Sequence, residues 1–338
     1  MSIASYLSEL VSQKNNLAAN LVTKGVSASS SETLNTLVPK VLSISGGGGS
    51  AVLSPLTVTS NGDYTPGAGI DGFNEVHVSV PGGGGDTIWA GIVDGSLTSI
   101  NDVGQSVSSI MSFVFSGHTN LETAIFPAAQ FIGNCAFQYC SALTTASFPA
   151  AVNIKDNAFA SCSALTTASF PAAESIWTYA FVSCPALTTA SFPAAINIGM
   201  YAFAYCFSLA SAYFPSAVNI GNHAFGYCSS LTKANFPLAE SIGTSAFIEC
   251  RSISTASFPA AANIGNSAFY RCYSLESLYL LGSSVCNLTG SNAFKSTPIG
   301  GYSVYTGAFG YIYVPLSLYS SYISASNWSY YSSRFVSI

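Results

Sequence analysis

Residues 220–237 read Ile-Gly-Asn-His-Ala-Phe-Gly-Tyr-Cys-Ser-Ser-Leu-Thr-Lys-Ala-Asn-Phe-Pro, and the pattern returns every 22 residues. The Phe of Phe-Pro falls at 126, 148, 170, 192, 214, 236 and 258. A second ladder is Phe137, Phe159, Phe181, Phe203, Phe225, Phe247 and Phe269. Cys140, Cys162, Cys184, Cys206, Cys228, Cys250 and Cys272 keep step with it, as do Ile132 to Ile264 and Leu143 to Leu275, with Ile253 in one Leu place. A unit this short cannot bury its own apolar face, but stacked copies can, each column lying on itself. The expectation is a repeat solenoid. Leu143, Ala146 and Phe148 are the inward positions of a short strand and Thr145 and Ser147 the outward ones. Pro149 stops the strand, and equivalent strands pair in register as a parallel sheet.

The unit Ile-Gly-x-x-Ala-Phe-x-x-Cys-x-x-Leu-x-x-Ala-x-Phe-Pro resembles the BspA-like leucine-rich repeat, over residues of about 91–315. That resemblance implies a curved right-handed solenoid used for adhesion and binding, with no catalytic residues to carry over. The solenoid is expected over 86–311, opened by Trp89 to Ile100 and closed by a cap at 312–338. In the cap, Val314-Pro315 followed by Leu318, Tyr319, Tyr322 and Ile323 reads as strand, then short helix. The register loosens before it, because Phe294 follows Phe269 by 25 residues and Leu280-Leu281 replaces Phe-Pro.

The first third differs. In 1–45, Ile3, Leu7, Leu10, Leu17 and Leu21 make an a/d seam with Lys14 in the remaining place. Gly25 ends this helix, and Ser29 with Glu32 caps a second one carrying Leu34, Leu37 and Val38. The seam reads either as an amphipathic helix packed on its neighbour or as an oligomerising bundle, such as a homotrimer. Gly runs at 46–49 and 82–85 are linkers around a small β module, 51–81, with two alternating arms. The helix, the Gly run and the TSNGDYTP…GFNEVHVSVP segment resemble accessory modules of bacteriophage and prophage tail proteins of Gram-positive hosts. This implies assembly in the bacterial cytoplasm, a place on the virion tail, and contact with other tail proteins through 1–45. Display on the bacterial cell surface is the alternative.

Composition narrows the function. Charged residues are 7% of the chain against roughly 25% in ordinary domains, and the net charge is only −5. No basic stripe suggests nucleic acid. No apolar stretch reaches the ~18 residues of a membrane span. Met1 to Asn16 lacks the basic-then-apolar order of a secretion signal. The cysteine ladder reads as core packing in a reducing compartment, since zinc sites use much closer spacings. In-register cysteines point the same way, which suits a disulfide poorly. Cys135 and Cys286 lie off the ladder and have no assigned role. His77, His118 and His223 lie apart, Glu174 and Glu240 are three rungs apart, and the Gly runs lack the Lys-Ser/Thr of a phosphate loop. Asn287-Leu-Thr and Asn327-Trp-Ser match a short glycosylation pattern. No catalytic residue, metal or cofactor is expected, and the chain reads as a binding protein.

The informative columns are those that vary while the core holds. One runs Cys135, Asn157, Tyr179, Tyr201, His223, Ser245, Ser267; another runs Tyr139, Ser161, Ser183, Tyr205, Tyr227, Glu249, Arg271. On the strand face, Tyr213, Lys233, Asn235 and Tyr279 interrupt a Thr/Ser ladder. Exposed aromatics among small polar groups suit recognition of a glycan or protein. Tyr179, Tyr201, His223, Tyr205, Tyr227, Arg271, Tyr213, Lys233 and Tyr279 are the candidate contacts, with a bacterial cell-surface glycan or protein as the partner in the tail reading and a host protein or glycan in the adhesin reading.

Overall fold

The structure, a computed structural model, describes residues 75–77, 86–88, 98–102, 107–301 and 309–338. The expected helices of 1–45, most of the 51–81 module and the opening Trp89 lie outside these residues. Each rung places two short strands on different sides of a common core. The first is the predicted one, centred on the Ala of Thr-Ala-Ser. Its equivalents pair in parallel and in register, as Thr189, Ala190 and Ser191 do with Thr167, Ala168 and Ser169. Glu75–His77 pairs with Ser99–Asn101 as the first strand of this ladder.

The second strand holds only two residues in most rungs, ending at the column isoleucine, as in Asn197–Ile198. Ten such strands, from Asp86–Ile88 to Asn287–Leu288, form one continuous parallel sheet. Sequence reasoning anticipated one sheet, because two residues are too few to show an alternating pattern. The Thr-Ala-Ser ladder, by contrast, is broken after Thr145–Ser147 and after Ser211–Tyr213, into sheets of four, three and five strands. The breaks coincide with wide ring spacings in the Phe-Pro column: Phe148 to Phe170 and Phe214 to Phe236 are each 6.0 Å apart, against 5.2 Å for Phe192 to Phe214.

The two phenylalanine columns are fully buried and interleave. Phe159 stacks on Phe181 at 5.1 Å and 6°, and Phe181 meets Phe192 edge-on at 5.7 Å and 68°. Offset stacks and edge-on pairs are the favoured aromatic arrangements. The ladder also starts one rung earlier than Ile132, Phe137, Cys140 and Leu143, in the unit that ends at Phe126. Ile110, Phe115 and Leu121 are buried in the same columns, and Phe115 stacks on Phe137 at 5.0 Å. His118 takes the Cys place there.

The cysteines do more than fill space. All nine are free. Each ladder thiol donates to the carbonyl of the column Phe one rung back, for example Cys206 Sγ to Phe181 O at 3.2 Å and Cys228 Sγ to Phe203 O at 3.1 Å. A thiol is small, apolar and a weak donor, so it serves this buried carbonyl with little desolvation cost. Burial pushes up the thiols of Cys140, Cys162, Cys206, Cys228, Cys250 and Cys272, Cys140 to about 12. Of the two off the ladder, Cys135 is half-buried and Cys286 buried.

The last rung absorbs its three extra residues without losing the stack, since Phe294 lies 5.6 Å from Phe269 at 9°. Leu280 fills the missing Phe place inside, while Leu281 is exposed. The segment that follows places the Tyr311–Val314 strand and the Tyr319–Ser324 helix over the end of the core. Its side chains take bonds that another rung would have taken. Asn327 Nδ2 donates to Leu288 O at 2.7 Å, Trp328 Nε1 to Cys286 O at 2.6 Å, and the Tyr331 hydroxyl to Ser291 O. An edge that could pair with another chain is thereby covered.

Two outcomes follow for stability. Phe203→Ala, in mid-stack, should cost about 3–5 kcal/mol in urea unfolding. An unfolded thiol ionises near pH 8.5, and buried ones such as Cys206 and Cys228 ionise higher. The folded state therefore holds its protons longer, and stability is complete below that pH and falls as pH rises through the folded values, by about 1.4 kcal/mol per pH unit per thiol. Calorimetry should show the melting temperature dropping between about pH 9 and 11, less steeply in Cys206→Ala/Cys228→Ala.

Candidate functional site

Between the isoleucine strand and the cysteine, the chain runs through consecutive turns. Backbone N–H groups alternate between closing a turn and reaching the next rung. Ala202 N donates to Gly199 O and Cys206 N to Phe203 O within the rung, while Tyr201 N, Phe203 N and Tyr205 N donate to Asn222 O, Ala224 O and Gly226 O in the next. The third residue of both turns has positive φ. Those residues are the two variable columns: Tyr179 (59°), Tyr201 (55°) and His223 (55°) in one, Tyr205 (63°), Tyr227 (65°), Glu249 (59°) and Arg271 (59°) in the other.

Left-handed backbone costs a residue with a Cβ roughly 1–2 kcal/mol, and Gly or Asn relieves it. Gly117 and Asn157 occupy such places, yet most rungs carry Tyr, His, Ser, Glu or Arg there. The inter-rung bonds impose the backbone, and the sequence accepts the cost. What it gains is large side chains thrown outward from a rigid turn, an outlier of the kind that accumulates at functional sites.

Across rungs these side chains form stacks. Tyr179 lies 5.1 Å from Tyr201, Tyr201 lies 4.5 Å from His223 at 2°, and Tyr205 lies 4.8 Å from Tyr227. Partial burial, then the nearby phenols Tyr179, Tyr205 and Tyr227, raise the Tyr201 pKa. Burial lowers the His223 pKa, leaving the ring neutral at pH 7. Beside the first stack is an open depression of about 600 Å³ lined by Trp177, Thr178, Gly199, Met200, Gly221 and Asn222. Its glycines allow close rung contact, since a Cβ on Gly221 would sit 2.7 Å from the Gly199 backbone. Trp177 is 42% exposed, with Lys155 Nζ 3.4 Å from its ring centre.

The second column continues into charge. Glu249, buried, accepts from Arg251 Nε at 2.9 Å and from Arg271 Nη1 at 2.8 Å. Burial acts to raise the Glu249 carboxyl, but the two arginines outweigh it and hold its pKa below the ordinary value.

Of the sequence candidates, Tyr179, Tyr201, His223, Tyr205 and Tyr227 come together, with Arg271 adjoining. Tyr213, Lys233 and Tyr279 stand on the strand face instead, where Tyr279 stacks on Tyr313 at 4.6 Å. Sequence reasoning missed Trp177 and the exposed Phe207, which meets Tyr205 edge-on at 6.2 Å. Both were legible: Trp177 stands in a column otherwise mostly Gly, and Phe207 follows Cys206 where three other rungs have Ser. Among the described residues, no group of three or more His, Cys, Asp or Glu side chains is placed to hold a metal. Nor is any helix there long and apolar enough to cross a membrane.

A family model for the BspA type leucine-rich repeat region matches residues 94–210 and 196–307, in six copies. No curated protein matches the chain. Solved structures with similarity include a leucine-rich cell surface protein from Faecalibacterium prausnitzii, 21% identical over 65% of this chain and 73% of that one, TM-score 0.30. A leucine-rich repeat protein from Bacteroides ovatus is 20% identical over 72% and 78%, TM-score 0.34. A leucine-rich repeat protein of T. pallidum is 22% identical over 67% and 79%, TM-score 0.32.

The left-handed columns give a direct check in urea unfolding. Ser183→Gly relieves the backbone without breaking a stack and should stabilise by about 1 kcal/mol. Tyr205→Gly should be near neutral, because losing its stack forfeits about 0.5–1.5 kcal/mol. A destabilised Ser183→Gly would contradict the strain assignment.

Proposed function

Because the chain belongs to the BspA-type leucine-rich repeat family, which the family model identifies over most of 94–307, we propose that it is a non-enzymatic binding protein acting as a bacterial cell-surface adhesin for host protein or glycan. The observation that carries this reading is the set of aromatic rings held at left-handed positions, Tyr179, Tyr201 and His223 beside Tyr205 and Tyr227. Rings with two torsions, already stacked and fixed by inter-rung bonds, lose little entropy when a ligand arrives. The neighbouring depression adds Trp177 and the amide of Asn222, an apolar platform edged by hydrogen-bonding groups that suits a sugar or an extended peptide. Association through 1–45 would multiply weak contacts into avidity.

A second reading is a phage or prophage tail protein that recognises the bacterial surface. The tail-like pattern of 1–81 favours it, and 1–45 would then dock other tail proteins. The solenoid is used in the same way in both readings; the target differs.

The fluorescent full chain should be applied to epithelial cells, to Gram-positive cells and to a glycan array, beside a Tyr179→Ala/Tyr201→Ala variant with unchanged circular dichroism. Binding to epithelial cells, weakened about tenfold or more in the variant, is the expected result. Binding confined to bacterial walls would move the assignment to the tail reading. No binding on any surface would leave a spacer without its own ligand.

A further inference from the structure

We infer that Arg251 and Arg271, held in place by Glu249 at the end of the Tyr205–Tyr227 stack, form a subsite for the carboxylate of an acidic sugar. This rests on the aromatic surface being a binding surface and names the class of ligand it takes.

The geometry is a strip along one edge of the solenoid. Tyr205, Tyr227, Glu249 and Arg271 are successive members of one column, each rung bonded to the next by backbone. Phe207 and Arg251 flank the column, each two residues past its member in the same rung. The strip is thus aromatic in two rungs and charged in the next two. In a chain with 7% charged residues, meeting three charges at one spot is not general surface decoration.

The triad is built with the acid beneath and the bases above. The Glu249 side chain is 6% exposed, while those of Arg251 and Arg271 are 60% and 47% exposed. Each guanidinium spends a donor on Glu249 and keeps others, since arginine carries five. After internal pairing the site keeps one net positive charge. Tyr273 and Tyr270 back the two guanidinium groups, at 5.8 and 5.0 Å from their ring centres. These contacts fix the arginines before any ligand binds. Two fixed planar forks match a carboxylate in geometry and charge. The adjoining Tyr205 and Tyr227 faces suit the apolar face of a sugar ring, and an acidic saccharide presents both groups together.

The test compares full-chain affinity for oligomannuronate and oligogalacturonate with that for the neutral oligomannose and oligogalactose of equal length, by titration calorimetry. Removing one arginine alone would leave Glu249 buried and unpaired, so the variant is Glu249→Gln/Arg251→Gln/Arg271→Gln, checked for folding by circular dichroism. The expected result is a preference of about tenfold or more for at least one acidic sugar. It should weaken as NaCl rises from about 0.05 to about 0.5 M and vanish in the triple variant. Equal affinity for both acidic and neutral pairs, or a preference that survives the triple variant, overturns the inference. So does oligoglutamate binding as tightly as the uronates, which would make the ligand an acidic peptide. If the chain binds cells through Tyr179 and Tyr201 yet shows no uronate preference, the inference fails and the binding reading stands. If it binds neither cells nor saccharides, both fail.

Discussion

Every rung must lie on the next in register, and the rest of the molecule follows from that. The Ile198 strand hydrogen-bonds to the Ile176 and Ile220 strands, and turn residues such as Phe203 donate to the matching turn one rung on. A one-residue slip would turn every buried column outward. The inward columns are therefore nearly invariant, and each ring, methyl or thiol packs on its own copy. The cysteine column shows how tight the constraint is. The site needs a small apolar side chain that can still donate to the Phe carbonyl of the previous rung, and seven consecutive rungs answer it with Cys. From Ala124 to Leu278 the strands keep the 22-residue step; extra residues enter at the ends, where Ile100 pairs with Ala124 and Ile264 with Leu288, and the cap replaces the missing rung with side-chain hydrogen bonds.

The same constraint decides where function can reside. With the core columns committed, variation is left to residues whose side chains leave the stack. On the strand face these alternate with buried alanines. On the turn face they sit at two left-handed positions per rung, where the backbone itself disfavours anything with a Cβ. A surface meant only to stay wet would place Gly, Asn or Ser there, as several rungs do. The rings of Tyr179, Tyr201, His223, Tyr205 and Tyr227, followed by Glu249 and Arg271, are a departure with a physical cost, and the proposed recognition role is a gain that would account for it.

Much of this was legible in the sequence. The 22-residue period, the parallel strands, the buried Phe and Cys columns and the closing cap all follow from spacing and from the need of a short unit to bury its face. The grouping of Tyr179 with Tyr201 and of Tyr205 with Tyr227 follows from the same register. Other features were hidden for definite reasons. The Asn-Ile strand is too short for alternation to reveal it. The left-handed turns carry no glycine signal, because Tyr and Ser stand where Gly would mark them. The thiol-to-carbonyl bonds cross 25 residues to the previous rung and leave only the choice of Cys as their trace. Arg271 looked like a free contact residue because its partner Glu249 reads in sequence as another surface charge. The front rung could have been found, since Ile110, Phe115 and Leu121 precede Ile132, Phe137 and Leu143 by the same 22 residues.

The turn face and the strand face of the solenoid make opposite demands on where a ligand sits. Hydroxyl-radical footprinting of the full chain, alone and bound to the cells it recognises, reads the tyrosines of both sides in one experiment. Protection of Tyr179, Tyr201, Tyr205 and Tyr227, with Tyr213, Tyr279 and Tyr313 unchanged, is the predicted result. Protection of the strand-face tyrosines with the turn-face rings left open would contradict it and move the binding surface to the Thr-Ala-Ser ladder.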